Sequence, residues 1–369
     1  MRLDVELRDR RILVGGTPRV LRAGEVHYFR LEREGWRRRL ELLLEAGADT
    51  VASYVPWGVH ELADGTLDLD GRTRPELDLG AFVDLAAEMG LFVVARPGPF
   101  QMAELRHEGL PGRVAREHPD LVPVGWDGAP APTPDLDVAA PAFLEAARPW
   151  FAAVGEVLAP RLAPRGGPVV AVQLDNEVGM LSWVSNTPVL TDHAVAELRT
   201  RVSGPPYPAA DAPLAEWRSA VRSPSSSLAP DLRVDLAELH RDRAARYLAS
   251  LAELAREHGF GDVPLLVNVH GTAADSAAPL PIGISQLQRS WRGSGRGVPG
   301  LTAGSDHYLG SLSAAGAAEL HLAHAFLVAT LGPDQPLTVL EHECGTGDYG
   351  GDLGAHVDPE AVELKTRLL

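Results

Sequence analysis

Apolar positions along the chain recur in two periods, and the two alternate. Val20–Tyr28 reads as a strand, after which Trp36, Leu40, Leu43 and Leu44 return at the three- and four-residue steps of one helix face. Thr50–Trp57 is the next strand-like run. Leu79, Phe82, Val83 and Ala86 then give one apolar face to a helix that Gly90 closes. Leu91–Phe100 and Pro168–Glu177 read as third and fourth strands, separated by a helix over about 141–160. Between 204 and 235 proline, serine and alanine dominate without a period, which predicts an inserted loop. A long helix over about 236–258 follows. Then come strand Pro264–Val269, strand Leu301–Tyr308, a helix around 314–330, strand Leu337–Glu343 and a last helical stretch, Pro359–Leu369. Residues 1–18 stand before the first unit as an N-terminal hairpin or cap.

Strands alternating with helices define an α/β protein, and several continuously apolar strands suit a parallel sheet buried on both faces. The choice between a closed barrel and an open doubly wound sheet falls to the strand ends. Polar and aromatic residues cluster at almost every C-terminal end: Glu25-Val26-His27-Tyr28, Tyr54 to Glu61, Phe100 to Glu104, Asp175-Asn176-Glu177, Asn268, Asp306-His307-Tyr308 and Glu341-His342-Glu343. A barrel gathers all its strand ends around one mouth, whereas an open sheet places its site at a single switch point. The distribution predicts a (β/α)8 TIM-type barrel with its eighth strand missing. Residues 1–369 are expected to be one catalytic barrel portion, a fragment of a longer protein or one completed by another segment, with further C-terminal domains absent from this chain.

Charge and composition narrow the partners. Apolar residues make up 45% of the chain and charged residues 23%, enough for a substantial core. The formal charge of −16 argues against nucleic acid and anionic membrane surfaces, which would repel the chain at long range. No secretory leader pattern and no membrane-length apolar run is present, so a cytoplasmic location is expected. The single cysteine, Cys344, forms no internal disulfide and fits a reducing compartment. No Gly-x-Gly-x-x-Gly or Walker loop occurs. The strand-end histidines His27, His60, His307 and His342 match no ligand spacing, and the helical pair His321 and His324 suits packing or the surface, so neither cofactor nor metal is expected. Assembly into a homo-oligomer stays open.

Two carboxyl groups at facing strand ends are what glycosidic bond cleavage requires, one to protonate the leaving oxygen and one to attack the anomeric carbon or activate water. The fourth strand ends in Asn176-Glu177 and the seventh in Glu341. A barrel sets those strands across the mouth from each other, which allows the short separation of a retaining pair.

Five blocks carry a resemblance. Residues 24–36 (GEVHYFRLEREGW), 50–61 (TVASYVPWGVHE), 95–111 (ARPGPFQMAELRHEGLP), 166–180 (GGPVVAVQLDNEVGM) and 336–351 (PLTVLEHECGTGDYGG) are similar to successive blocks of glycoside hydrolase family 35, in the family's order. The resemblance implies a β-galactosidase-like exo-glycosidase that releases terminal β-D-galactose with retention from an oligosaccharide or galactoside. It implies Glu177 as acid/base and Glu341 as nucleophile. Asn176 is implied to bond the sugar 2-hydroxyl, and Tyr54 and Glu104 to bind hydroxyls of the non-reducing sugar. Tyr28 and Trp57 match aromatics near the pocket, and Tyr308 a tyrosine near the nucleophile.

Departures from the blocks bear on the sugar. Phe100-Gln101-Met102-Ala103-Glu104-Leu105 stands where the family has Tyr-Ile-Cys-Ala-Glu-Trp, Gly58 stands where Asn is frequent, and His342-Glu343 replace Phe and its neighbour. Glu343 shares a strand face with Glu341 and is both a substrate-binding candidate and the second candidate for nucleophile. A related exo-glycosidase for glucosamine or another β-linked sugar, another acid-pair hydrolase such as family 42, and a non-catalytic carbohydrate-binding barrel are the alternatives.

Overall fold

The computed structural model describes residues 1–131, 136–185, 187–269, 301–307, 331–332 and 334–342, with helical positions Ile284, Leu287, Trp291 and several between 318 and 329. Three short strands, β1 (Val5–Arg8), β2 (Arg11–Val14) and β3 (Thr17–Arg19), form an antiparallel meander rather than a lone hairpin. The meander is tied to the lower end of the molecule: Leu3 N–H donates to the Ala163 carbonyl, and Arg19 lies 5.9 Å over Phe92, where a barrel strand begins.

Seven strands then follow in sequence order across one sheet: β4 (Ala23–Glu25), β5 (Thr50–Tyr54), β6 (Phe92–Gln101), β7 (Val169–Asn176), β8 (Leu265–Val269), β9 (Leu301–His307) and β10 (Val339–His342). Every neighbouring pair is parallel. Consecutive order without a reversal leaves no switch point, so the sheet is that of a (β/α)8 TIM-type barrel and not of a doubly wound fold. Among the described residues the sheet is open between β4 and β10, and its curl lets side chains of β5 and β6 reach β10 across the interior.

The helices cover the outer face. In α1 (Trp36–Glu45) Trp36 and Leu40 are buried, while Leu44 is 39% exposed and falls off the face that its spacing predicted. Leu79, Phe82, Val83 and Ala86 are all buried in α3 (Leu79–Glu88), each large one contributing about 1.5–3 kcal/mol. That helix is capped by the Asp78 side chain on Ala81 N–H, and Gly90 follows it with a φ of +81°. Strands β5 and β7 are buried along their whole length between sheet interior and helices, which is why they read as unbroken apolar runs. In α5 (Pro141–Leu158), Gly155 faces the turn Arg256–Phe260 that follows α9 (Ala229–Ala255) so closely that a Cβ there would sit 2.3 Å from the His258 carbonyl oxygen.

Two sequence expectations are corrected. The segment 204–235 is not an aperiodic loop: it holds α8 (Leu214–Arg222) and the first turns of α9. With α7 (Asp192–Arg201) these helices close a separate core around Leu198, Trp217, Val221, Leu228, Leu232 and Leu236. The four-residue steps from Leu228 to Leu236 were present in the sequence. Pro213 and Pro230 lie at helix starts, where proline is favoured, but in a proline-rich stretch they read as breakers. The first barrel strand is also short: Tyr28 sits not in β4 but in a 3-10 turn, Tyr28–Arg30. The helix expected around 314–330 is helical at its described positions, whereas the expected Pro359–Leu369 helix lies outside the described residues. No helix among the described residues is long and apolar enough to cross a membrane.

Candidate active site

Three strands deliver three carboxyl groups to one point. Glu177 follows the end of β7, Asp306 lies in β9 and Glu341 in β10, and one oxygen of each is within 4.8 Å of the others. Glu177 and Asp306 are buried. Hydrogen bonds orient the group. Tyr54 O–H, from β5, donates to Glu341 Oε1 at 3.0 Å, and Asn268 Nδ2, from β8, donates to the same oxygen at 3.0 Å. Asn268 Nδ2 also donates to Asn176 Oδ1 at 2.8 Å, so a single amide ties β7 to β10. Asn176 Oδ1 accepts a second bond from Gln173, and Asn176 Nδ2 donates to the Met102 carbonyl at 2.8 Å.

A buried cation faces the cluster. Arg96, in β6, donates to the Leu340 carbonyl at 2.7 Å and pairs with Glu25, and its guanidinium lies 4.9 Å from the centre of the Tyr54 ring. Burial works against the Arg96 charge, but Glu25, Tyr54, Glu341 and Asp306 more than offset it and leave the group more basic than usual. Burial pushes the Tyr54 hydroxyl far above its ordinary range; Arg96 opposes this, and Glu341 and Glu25 add to it. Tyr54 therefore stays protonated and acts as a donor.

The backbone beside the acid/base candidate is held in an uncommon conformation. Among the described residues seven non-glycine positions have positive φ, and five of them flank the mouth: Glu104, His107, Glu108, Asp175 and Glu177. Left-handed backbone at such residues costs on the order of 1 kcal/mol or more each, and it persists where packing fixes a functional geometry. Glu104 is exposed on the loop after β6. Glu108, on the same loop, carries a carboxyl that burial pushes up; the Ala103 N–H opposes this, and the charges of Glu104 and Glu177 push it further. Gly58, in α2 (Trp57–His60), lies beneath that loop, where a Cβ would meet the Leu110 carbonyl oxygen at 2.7 Å. No longer side chain fits there, which accounts for that departure from the family blocks.

Not all expected site residues converge. Glu177, Glu341, Asn176 and Tyr54 do, and Glu104 lies on the adjoining loop. Tyr28 and Trp57 do not: the Tyr28 ring is fully buried against Phe82 and Trp36 with its hydroxyl 2.7 Å from His60 Nε2. Trp57 stacks on Trp150 and donates to Glu61 at 2.9 Å. Both belong to the aromatic layer between strands and helices, because the chain turns out of β4 and β5 before it reaches them. Phe100 lines a cavity of about 50 Å³ between the ends of β6 and β7 and α9, together with Asp137, Asp175, Val178, Arg243 and Tyr247. Tyr308, Glu343 and Cys344 lie outside the described residues.

Arg96 and Glu108 were not among the expected site residues, and Asn268 and Asp306, placed at strand ends by the sequence, carried no expected role. Each left a signal as a polar residue inside or just after an apolar strand, Asn268 within Leu265–Val269 most plainly. Glu177, Asp306 and Glu341 offer an all-oxygen donor set, of the kind suited to magnesium or calcium and lacking the histidine or cysteine that zinc favours.

Comparison with known proteins supplies the relationship. Residues 11–204 match the sequence model of glycosyl hydrolases family 35. An exo-β-D-glucosaminidase of Thermococcus kodakarensis is 35% identical over 193 residues, covering 51% of this chain and 24% of that protein. A β-1,2-glucosyltransferase of Ignavibacterium album is 27% identical over 371 residues, covering 95% of this chain and 49% of that protein. A human β-galactosidase-1-like protein 2 is 38% identical over 156 residues, 42% of this chain and 22% of that protein. The chain thus spans between about a quarter and a half of the length of these relatives. In structure it is similar to a β-galactosidase from the psychrophilic Marinomonas ef1, with a TM-score of 0.57 at 15% identity over 79% of this chain and 41% of that one, a likeness of fold. With the match running over more than half of its length, from β2 through the Asn176-Glu177 block, the chain belongs to glycosyl hydrolases family 35.

Proposed function

We propose that the chain carries the catalytic site of a retaining exo-β-glycosidase, with Glu341 as nucleophile and Glu177 as acid/base. The carrying observation is that one oxygen of Glu177 and one of Glu341 lie within 4.8 Å of each other, on side chains delivered by different strands. A retaining pair needs about 5–5.5 Å, whereas an inverting pair needs about 6.5–9.5 Å to admit a water molecule. Glu341 attacks the anomeric carbon while protonated Glu177 gives its proton to the glycosidic oxygen. The aglycone leaves and a glycosyl ester on Glu341 remains. Glu177, now ionised, takes a proton from water as the water attacks the same carbon, and the sugar departs with its configuration retained. Tyr54 and Asn268 hold Glu341 Oε1 in place throughout. The Asn176 amide spends one hydrogen on the Met102 carbonyl, and its second is directed to the sugar 2-hydroxyl.

Terminal β-D-galactose is the sugar that the sequence blocks support. A second reading has a specific observation behind it: the glucosyltransferase relative aligns over 95% of the chain, the galactosidase-like relative over 42%. On that reading the sugar is glucose, and the ester on Glu341 is intercepted by a sugar hydroxyl instead of water. The test is turnover of the 4-nitrophenyl β-D-galactoside, glucoside and glucosaminide by the full-length protein and by Glu177→Ala, with and without azide. Loss of about 10²- to 10⁴-fold in hydrolysis with recovery as a β-glycosyl azide supports Glu177 as acid/base in a retaining reaction. An α-configured azide product would overturn the assignment of Glu177 as acid/base, because azide would then be replacing the attacking carboxylate. The substrate turned over identifies the sugar.

A further inference from the structure

Two groups pack against the Tyr54 ring. The Arg96 guanidinium lies 4.9 Å from the ring centre; the His27 imidazole stacks against the ring with centroids 4.9 Å apart and planes 26° from parallel. Both groups are anchored to one carboxylate. Glu25 pairs through one oxygen with Arg96 and through the other with His27 Nε2 at 3.4 Å. Arg96 is 2% exposed and reaches past Tyr54 to the Leu340 carbonyl, the peptide that leads into Glu341.

These contacts join three strands that the sheet itself does not bond to each other. Glu25 sits on β4 and Glu341 on β10, the two open edges, and Arg96 comes from β6 between them. An aromatic ring packed against a cation and an imidazole loses the freedom to rotate about its first side-chain bond, and the attraction of the guanidinium for the ring face adds roughly 1–2 kcal/mol where water is excluded. What the fixed ring delivers is the hydroxyl at 3.0 Å from Glu341 Oε1. Placement of a reacting group matters steeply: a shift of about 1 Å can cost on the order of 100-fold in rate.

We propose that Glu25, Arg96 and His27 form a positioning clamp that fixes Tyr54 and, through its hydroxyl, the carboxylate plane of Glu341. The clamp rests on the reading of Glu341 as nucleophile. None of its three members needs to touch substrate. Glu25 is the member whose removal is least damaging to the core, because it lies on the short edge strand β4 and its substitution by glutamine keeps its shape.

The deciding experiment is a double-mutant cycle on the full-length protein with Glu25→Gln, Tyr54→Phe and the pair together, reading kcat and KM separately alongside thermal melting. The clamp predicts a fall in kcat of about 10- to 100-fold for Glu25→Gln with KM within about threefold, and a double variant no slower than Tyr54→Phe alone. An unchanged kcat in Glu25→Gln, or effects that multiply in the pair, would overturn it. Should Glu25→Gln not fold, His27→Phe retains the stacked ring, breaks the link to Glu25 and is read in the same cycle. Crystal structures of the parent and the Glu25→Gln variant decide the point independently of activity. A Tyr54 to Glu341 separation lengthened beyond hydrogen-bond reach supports the clamp, and one still near 3.0 Å overturns it. A parent that turns over no β-glycoside sinks the functional reading alone, and those two structures still judge the clamp.

Discussion

Two buried tyrosines from adjacent units of the barrel show how differently its mouth and its aromatic layer are built. Tyr54 ends a strand whose every residue is buried, and its hydroxyl meets an acid in a cluster of acids beside a buried cation. Tyr28 lies just beyond the three-residue strand β4, in a turn that swings its ring outward against Trp36 and Phe82, and its hydroxyl meets a histidine. Burial raises both phenols far above their ordinary range. The groups they meet decide what that means. In the layer, His60 accepts from Tyr28 and donates through Nδ1 to the Asp68 carbonyl, a satisfied neutral ring. At the mouth, like charges and left-handed backbone are held together at a cost that packing elsewhere must offset. A residue type common to both regions thus orients a carboxylate in the acid cluster in one and completes a packed layer in the other.

The contrast can be broken most forcefully at Glu341. Glu341→Gln is expected to lower kcat by on the order of 10⁴-fold or more while the melting temperature holds or rises, since one of three crowded negative charges is removed. Near-normal turnover in this variant would return the nucleophile to Glu343. The layer makes its own prediction with acid. Burial lowers the His60 pKa from 6.5 to about 4, with the Asp68 carbonyl resisting the shift. The unfolded chain therefore binds the proton more readily than the folded one. The stability due to neutral His60 is complete above about pH 6.5 and is lost as pH falls towards 4, on the order of 3 kcal/mol in all. Denaturant titrations across that window should show the loss in the parent and a flatter profile in His60→Gln.

Smaller effects sharpen the comparison between the tyrosines themselves. Tyr54→Phe should cut kcat by about 10- to 100-fold with a melting temperature close to the parent's, because only a hydroxyl that orients the proposed nucleophile is lost. Tyr28→Phe should do the reverse. Leaving His60 Nε2 without its donor costs about 1–3 kcal/mol of folding stability, while kcat stays within about twofold. If Tyr28→Phe slowed turnover and left stability intact, the assignment of Tyr28 to the layer would be wrong.

The regular parts of this fold were legible because burial on two faces leaves a strong mark. Six of the seven strands fall inside the predicted runs and β6 outruns its own by one residue, Gln101, while Leu79, Phe82, Val83 and Ala86 line one helix face as their spacing requires. The short insert helices were hidden, since proline at a helix start and proline in a loop look alike in composition. At the site, Asn176-Glu177 and Glu341 were legible because a block of specific residues surrounds each. Asn268 and Asp306 were legible as strand-end polar residues but not in their roles, and Arg96 was not legible, because a single polar residue in an apolar strand does not say which way it faces or what stands opposite.

Sequence by itself determined the alternation of strands and helices, the parallel sheet it implies and the two carboxyl groups that chemistry demands. Period and local composition suffice for these, because each is settled within a dozen residues of chain. Only the tertiary structure decided that Tyr54 serves Glu341 while Tyr28 serves His60, and that Glu25 and Leu340, at opposite edges of the sheet, meet through Arg96. Those pairings depend on the curl of the sheet and on where each strand stops. A shift of one residue there reverses the face on which a side chain emerges.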